Sequence, residues 1–362
     1  MSTVRRTGGA DPDVEARRPA GPAVRAPAAA SVGAPPVRPP TLAHRLEYLL
    51  FRVAGGVGRL LGDRGAARLG AALGRFVYHG LGIRRRVVES HIRHAFPGRD
   101  EAWVQATAAA AYAHLGREGM ALLRLSSLDR AKVRARTEIE GLDAFLAALD
   151  RGRGLVLVTG HIGNWEIGGA SLAARGIAID VVAQRQANPL FDRAIVEARE
   201  RLGMRVIERG RATREGLRSL RQGRVLAFVA DQDARRAGVF VPFFGRLAST
   251  HRGPALLALR TGAPLFLGVA LRARDGRYRV RLEEVVVDRD GDADDVVRRL
   301  TAAFTAGLEA AVLAAPDQYL WHHRRWKTRP PEEPAPEASG ITPGHGSAPA
   351  AQAMNPNQPE RP

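Results

Sequence analysis

Residues 42–330 predict an α/β fold: a mixed sheet flanked by helices, preceded by a helical region. Two patterns carry that reading. From residue 154 onward short apolar runs alternate with helical stretches, whereas residues 42–150 are mainly helical. Strand-helix alternation of this kind argues for a sheet covered by helices. A third observation sets the limits, because both ends of the chain are too poor in bulky apolar residues to join any core.

Residues 1–40 are rich in Ala, Pro, Arg and Gly, and residues 331–362 in Pro, Ala, Glu and Gly. Neither stretch can bury enough surface to offset its ordering entropy, so both are expected to be disordered tails. The roughly 290 residues between them suit one core with an accessory helical part. That core opens at 42–61, where Leu46, Leu49, Leu50, Val53, Val57, Leu60 and Leu61 recur at helical spacing. Arg45, Glu47, Arg52 and Arg59 interrupt the stretch. It therefore falls short of the roughly 20 apolar residues needed to span a bilayer. A helix lying flat in a membrane interface is expected; the alternative is an amphipathic helix packed on the core. No secretory signal is expected, since acidic and Pro residues stand where an apolar h-region belongs.

Residues 101–125 read as a long helix and 130–150 as a mixed segment ending in one. Strands follow at 155–159, 179–183, 205–207, 225–230, 265–271 and 278–287. Helices are expected at 167–175, 191–202, 211–222 and 253–261, with a closing helix at 292–313. The last strand alternates polar and apolar residues, which puts it half exposed, near an edge.

The formal charge is +18. Residues 1–40 carry a net +3 and residues 331–362 a net −3, so the core keeps the whole +18. Such a charge favours anionic partners: phospholipid head groups, phosphorylated lipids, an acidic carrier protein, or nucleic acid. No helix-turn-helix, zinc or RNA-binding signature supports the last of these. The chain has no cysteine, which excludes disulfides, thiolate metal sites and cysteine nucleophiles.

His161-Ile-Gly-Asn-Trp-Glu166 is the most informative stretch. It joins a strand to a helix, with Gly160 and Gly163 permitting a tight turn. An imidazole is the side chain suited to take a proton near neutral pH. A carboxylate five positions on can hold its tautomer and stabilise the imidazolium. Asp231-Gln232-Asp233 and Arg185 follow two further strand ends, on the carboxyl edge where open α/β sheets bind ligands. Asp231 and Gln232 read either as ordering the site or as an ordinary strand-end turn. Arg185 reads as a phosphate ligand, through its planar fork of donors, or as a solvated surface residue. Phe240, Phe243 and Phe244 read as lining a channel or as core. His322 and His323 are adjacent with no acidic partner nearby, so no metal is expected.

Three further segments join the motif: Ala230–Asp233, 239–245 and 319–330. With Arg84-Arg-Arg86 before Ala95-Phe-Pro97, and Arg185 before Asn188-Pro189, the ordered set resembles the bacterial lipid A late acyltransferases. These are the lauroyl/myristoyl transferase branch of the lysophospholipid acyltransferase superfamily. The resemblance runs from about residue 42 to 330. It implies a glycerol-3-phosphate acyltransferase-like fold and a membrane-associated O-acyltransferase without a cofactor. Such an enzyme sits on the cytoplasmic face of the bacterial inner membrane. The acyl donor would be acyl carrier protein or a coenzyme A thioester, and the acceptor a hydroxyl of a lipid A precursor or related anionic glycolipid. His161 would be the general base and Glu166 its partner, with no acyl-enzyme formed. The missing Cys and the missing Gly-x-Ser-x-Gly elbow agree with direct transfer. Asn164, Arg185, Asp231, Gln232, Phe243, Phe244 and Thr250 would bind substrate, and backbone N–H groups near Gly163 and Asn164 would meet the oxyanion. Residues 321–329 would pack at the edge and touch head groups. The chain departs from the family pattern at His91-Ile92, where Asn-Leu is usual, and this bears on the acceptor. A phosphatidylinositol mannoside or lysophospholipid acceptor is the close rival. A non-enzymatic nucleic-acid or membrane-surface binder is the rival from another class.

Overall fold

The computed structural model describes residues 39–331. The expected tails, apart from their inner ends, lie outside the described residues. Helix α1 (Leu42–Leu60) starts at Thr41, whose Oγ1 accepts the His44 N–H while His44 Nδ1 accepts the Thr41 N–H. Helices α2 (Gly62–Phe76), α3 (Arg85–Ala95) and α4 (Glu101–Leu123) complete the N-terminal helical region. Asp100 caps α4 by accepting the Trp103 N–H at 2.7 Å. Helices α2 and α4 touch backbone to backbone: a Cβ on Gly70 would lie 2.3 Å from the Gly116 carbonyl oxygen.

Helix α5 (Arg130–Arg136) leads into strand β1 (Thr137–Glu140) and helix α6 (Leu142–Leu149). The α/β part then runs β2 (Leu155–Thr159), α7 (Trp165–Ala174), β3 (Ile179–Ala183), α8 (Pro189–Leu202), β4 (Met204–Glu208), α9 (Ala212–Arg221) and β5 (Val225–Val229). A hairpin of β6 (Val239–Phe243) and β7 (Arg246–Thr250) follows. Helix α10 (Gly253–Thr261), β8 (Leu265–Arg272), β9 (Tyr278–Glu284) and α11 (Ala293–Ala314) close the fold.

The seven-stranded sheet has the order β1-β9-β8-β2-β5-β3-β4. Strands β8, β2, β5, β3 and β4 are parallel, and β9 turns back antiparallel on β8. Central strand β2 is apolar from Leu155 to Val158 because helices cover both of its faces. Leu157, Ile167, Ala170, Phe266 and Leu282 pack on the α7 side, and Val156, Val158, Leu226, Leu257 and Phe304 on the other. A third apolar cluster joins Tyr78, Ile92 and Val104 of the helical region to Phe243, Trp321 and Trp326.

Three features differ from the sequence expectation. Residues 130–150 contain a strand that was not expected, β1, which pairs outside β9; β9 itself is half exposed and next to the edge, as expected. The hairpin β6–β7 lies where no strands were expected. Its two-residue turn needs positive φ twice, and Phe244 (φ 52°) and Gly245 (φ 71°) supply it. For a bulky Phe244 that region is strained, and Glu309 of α11 helps to hold it by accepting the Phe244 N–H at 2.5 Å. The third difference concerns residues 321–329, which do not lie along an edge. Trp321 is 1%, Arg325 2% and Trp326 8% exposed.

Helix α1 presents its apolar face outward. Leu42, Leu46, Leu49, Leu50, Val53, Val57 and Leu60 are exposed, and its buried residues are Gly55 and Gly58. This removes the alternative in which those leucines pack on the core. Leu73, Phe76, Leu81 and Ile83, on α2 and just beyond it, are exposed as well. Among the described residues, no helix is long and apolar enough to cross a membrane.

Candidate active site

His161 leaves the carboxyl end of β2 and Asp231 the carboxyl end of β5. The two strands are parallel, with Thr159 opposite Val229. Two residues further along each chain stand His161 and Asp231. Asp231 Oδ1 lies 2.6 Å from His161 Nδ1, and Oδ2 accepts the His161 backbone N–H at 2.8 Å. Burial alone would raise the Asp231 carboxyl. The His161 charge and the two hydrogen bonds outweigh it and bring the group down to about 2. An ionised carboxylate can only accept, so the ring proton sits on Nδ1 and Nε2 carries the lone pair. This is the tautomer a general base needs, and Asp231 holds it.

Glu166 does not play that part, and the sequence expectation is corrected here. Glu166 lies in the first turn of α7, where Arg199 of α8 grips both carboxylate oxygens, at 2.9 and 2.5 Å. Burial works against the Arg199 charge, but its hydrogen bonds and charge attraction to Glu166 raise it above the ordinary arginine value. Both residues line the same cavity as His161, yet the carboxylate is spent on the guanidinium.

Asn164 is also corrected, from substrate ligand to structural cap. Its Oδ1 accepts the Ile167 N–H at 2.9 Å and its Nδ2 donates to Glu118 at 2.5 Å. Tyr278 and Arg272 donate to the same buried Glu118, at 2.8 and 3.2 Å. The nearby backbone amides are engaged too. Gly163 N–H donates to the Gln318 carbonyl at 2.9 Å and Asn164 N–H to the Ala270 carbonyl at 2.8 Å. Neither is open to an oxyanion. Gly163 has φ 58°, and a Cβ there would lie 2.0 Å from the Ala270 oxygen, so only glycine fits this turn.

A cavity of 560 Å³ opens beside His161. One arm runs between α7 and the sheet, lined by Leu157, Gly168, Gly169, Leu172, Val181, Met204, Gly268 and Leu282. Its mouth carries His161, Trp165, Arg209, Gln232 and His251. A second cavity of 740 Å³ shares Gln232, Arg209 and His251 with that mouth and adds Arg185, Asp233 and Arg235. Arg185 lines only this second cavity, where it is paired with Glu208 at 3.1 Å. Gln232 faces the base: its Nε2 lies 3.2 Å from His161 Nε2 and 2.9 Å from His323 Nε2.

The remaining expected residues lie elsewhere. Phe243 and Phe244 are not among the cavity-lining residues and pack with Trp326, Tyr319, Phe96 and Trp321 instead. Thr250 is buried and accepts a hydrogen bond from Arg325 at 2.5 Å. Arg325 also donates to the Ser249 carbonyl at 2.7 Å and stands over the Phe243 ring. These bonds thread the C-terminal segment into the core.

That segment also grips the turn that carries His161, since Leu320 N–H donates to the His161 carbonyl at 2.9 Å. Arg84 ties it to the helical region by donating to the His322 carbonyl. His322 packs edge-on against Tyr112, and burial followed by the charge of His323 pushes its imidazole down to about 4. Burial, then the His161 charge, pushes His323 down to about 4 as well. The sequence reading passed over Arg199, weighed His323 only as a metal ligand, and took Arg325 only as part of an edge segment. Each is one polar residue in a chain rich in them, and none has a spacing that singles it out.

Residues 41–328 match the family model of bacterial lipid A biosynthesis acyltransferases. A phosphatidylinositol mannoside acyltransferase of Mycolicibacterium smegmatis is 32% identical over 203 residues, covering 55% of this chain and 66% of the relative. The lipid A biosynthesis lauroyltransferase of Escherichia coli is 28% identical over 275 residues, covering 74% of this chain and 87% of the relative. The palmitoleoyltransferase of the same bacterium is 30% identical over 206 residues, covering 55% of this chain and 64% of the relative.

Proposed function

The chain belongs to the bacterial lipid A biosynthesis acyltransferase family, and from that premise we propose that it is a membrane-associated O-acyltransferase. It moves a fatty acyl chain from a thioester of acyl carrier protein or coenzyme A to a hydroxyl of a lipid A precursor or related anionic glycolipid. The observation that carries this reading is His161, with Asp231 behind it, on the wall of a cavity that is lined by apolar residues of α7 and the sheet. A fatty chain needs such a lining, and a hydroxyl needs such a base.

The acceptor hydroxyl passes its proton to His161 Nε2 as its oxygen bonds to the thioester carbon. The tetrahedral intermediate then collapses, the C–S bond breaks, and the imidazolium gives the proton to the departing thiolate. Asp231 stabilises the imidazolium between these events. Helix α1 lays its exposed leucines in the membrane interface on the cytoplasmic face of the inner membrane, so the acceptor arrives laterally from the lipid. The +18 charge attracts both an acidic carrier protein and anionic head groups. A phosphatidylinositol mannoside acceptor is the second reading, favoured by the 32% identity to the mycobacterial relative.

The test is acyl transfer by membranes containing the full-length protein, from labelled carrier-linked and coenzyme A-linked donors to lipid A precursors, phosphatidylinositol mannosides and lysophospholipids. Label should enter a glycolipid, and His161→Ala should lower the rate by roughly 100-fold or more. Transfer to none of these acceptors, or unchanged transfer by folded His161→Ala, would refute the reading.

A further inference from the structure

We propose that the Gln232 side-chain amide is the hydrogen-bond donor to the thioester oxygen as it turns anionic, and that His323 holds Gln232 in position for this. The inference rests on the acyl-transfer reading above and adds a catalytic residue to it.

The amide's orientation follows from the chemistry of its neighbours. Asp231 fixes the His161 ring proton on Nδ1, so Nε2 can only accept in the neutral ring. The Gln232 group 3.2 Å from it must therefore be the NH2. Its second N–H points at His323 Nε2, 2.9 Å away. One amide thus bridges two imidazoles, with one hydrogen on each.

The base cannot act while Gln232 occupies its lone pair. The acceptor hydroxyl has to take that place, and in doing so it frees one amide hydrogen. The other hydrogen bond to His323 keeps the amide from leaving, so the freed N–H stays beside the reacting carbon. A tetrahedral oxyanion forms there, and a preorganised donor is most effective where charge develops.

Four other donors close to the turn are committed elsewhere. The amides of Gly163 and Asn164 serve Gln318 and Ala270. Arg199 serves Glu166, and Arg325 serves Ser249 and Thr250. Gln232 also lines both cavities, which places it where donor and acceptor meet. His323 is a positioning residue. It acts through Gln232, and it comes from the segment that closes over the catalytic turn.

The experiment measures kcat, KM and the pH dependence of transfer for the full-length protein and four variants. Gln232→Ala should lower kcat by about 100-fold or more while KM moves only a few-fold, the pattern of an interaction made in the transition state. Gln232→Glu keeps the shape but sets a carboxylate beside the base. It should lose kcat and shift the acidic limb of the pH profile upward, because a nearby negative charge favours the imidazolium. His323→Ala should lower kcat by roughly 10-fold, and His323→Gln should recover part of that, since its Oε1 can accept the same N–H. Gln232→Ala with wild-type kcat, or a loss confined to KM, would overturn the inference. So would a His323→Gln variant no better than His323→Ala. The wild-type rate and His161→Ala, run alongside, report on the acyl-transfer reading separately.

Discussion

Asp231→Asn and Glu166→Gln tell the two acids apart, because each change keeps the shape of the side chain. The Asp231 carboxylate makes two contacts to His161, from Oδ2 to the backbone N–H and from Oδ1 to Nδ1. In asparagine one of these positions becomes a donor. The backbone N–H cannot accept, so the amide oxygen must face it and the NH2 must face the ring. Nδ1 then has to accept, and the ring proton moves to Nε2, the atom that should take the substrate's proton. The same exchange in a Ser-His-Asp triad costs about 10⁴ in kcat, which corresponds to roughly 5 kcal/mol of transition-state stabilisation. Glu166→Gln leaves the ring alone and removes the charge opposite Arg199. Losing the charge opposite a partly buried guanidinium costs stability, up to about 3–5 kcal/mol, the figure for a fully buried pair. Urea unfolding and single-turnover transfer, measured on the same preparations, separate the outcomes. Asp231→Asn should lose at most about 2 kcal/mol of stability, the share its lowered carboxyl pKa contributes, and turn over about 10⁴-fold more slowly. Glu166→Gln should unfold earlier, yet at a temperature where it is folded it should keep far more activity than Asp231→Asn. A folded Asp231→Asn near wild-type rate, beside a folded but inactive Glu166→Gln, would refute the assignment of Asp231 as the partner of the base.

Two further outcomes follow from the same geometry. Replacing Leu49, Leu50 and Val53 of α1 by Asp should release much of the folded protein to the soluble fraction, since charge among acyl chains is costly; a triple variant that stays membrane-bound through a high-salt wash would show that α1 is not the anchor. Asp231 has a folded pKa of about 2 against an ordinary 3.8, so its contribution is fully present above the ordinary value and lost as pH falls through about 2. Urea unfolding at pH 5 and pH 2.5 should therefore show a larger acid loss in wild type than in Asp231→Asn, by roughly 1–2 kcal/mol; equal losses would contradict the pairing.

Much of the fold was legible because burial leaves a periodic mark. Parallel strands covered on both faces read as largely apolar runs, which is why β2, β5 and β8 stood out, and β3 despite its buried Asp180. Strand β1 was hidden because its four residues, Thr137–Glu140, alternate charge and lie between two helices. The hairpin β6–β7 was hidden by Pro242 and by a turn that places Phe244, not glycine or asparagine, at positive φ. Pro is tolerated there because the hairpin has only two strands and Pro242 lies on an exposed part of one of them. The C-terminal segment looked like a surface element because it is basic. Arg325 is nevertheless buried, since the Ser249 carbonyl and Thr250 hydroxyl satisfy it and the Phe243 ring faces its charge.

The displaced partner of His161 has a physical cause of the same kind. Five positions of chain separate His161 from Glu166, but the turn between them is spent on starting a helix. Asn164 caps it and the carboxylate sits in its first turn, where the helix dipole favours negative charge and Arg199 of the neighbouring helix completes the pair. The acid that reaches the imidazole comes from the adjacent strand, 70 residues away in sequence. Parallel pairing carries it there, because strands in register at Thr159 and Val229 deliver their next-but-one residues to the same place. Proximity along the chain therefore points to the wrong acid, and register points to the right one. In a parallel sheet, polar residues at equal offsets beyond two paired strand ends are the better sequence signal for a base and its partner.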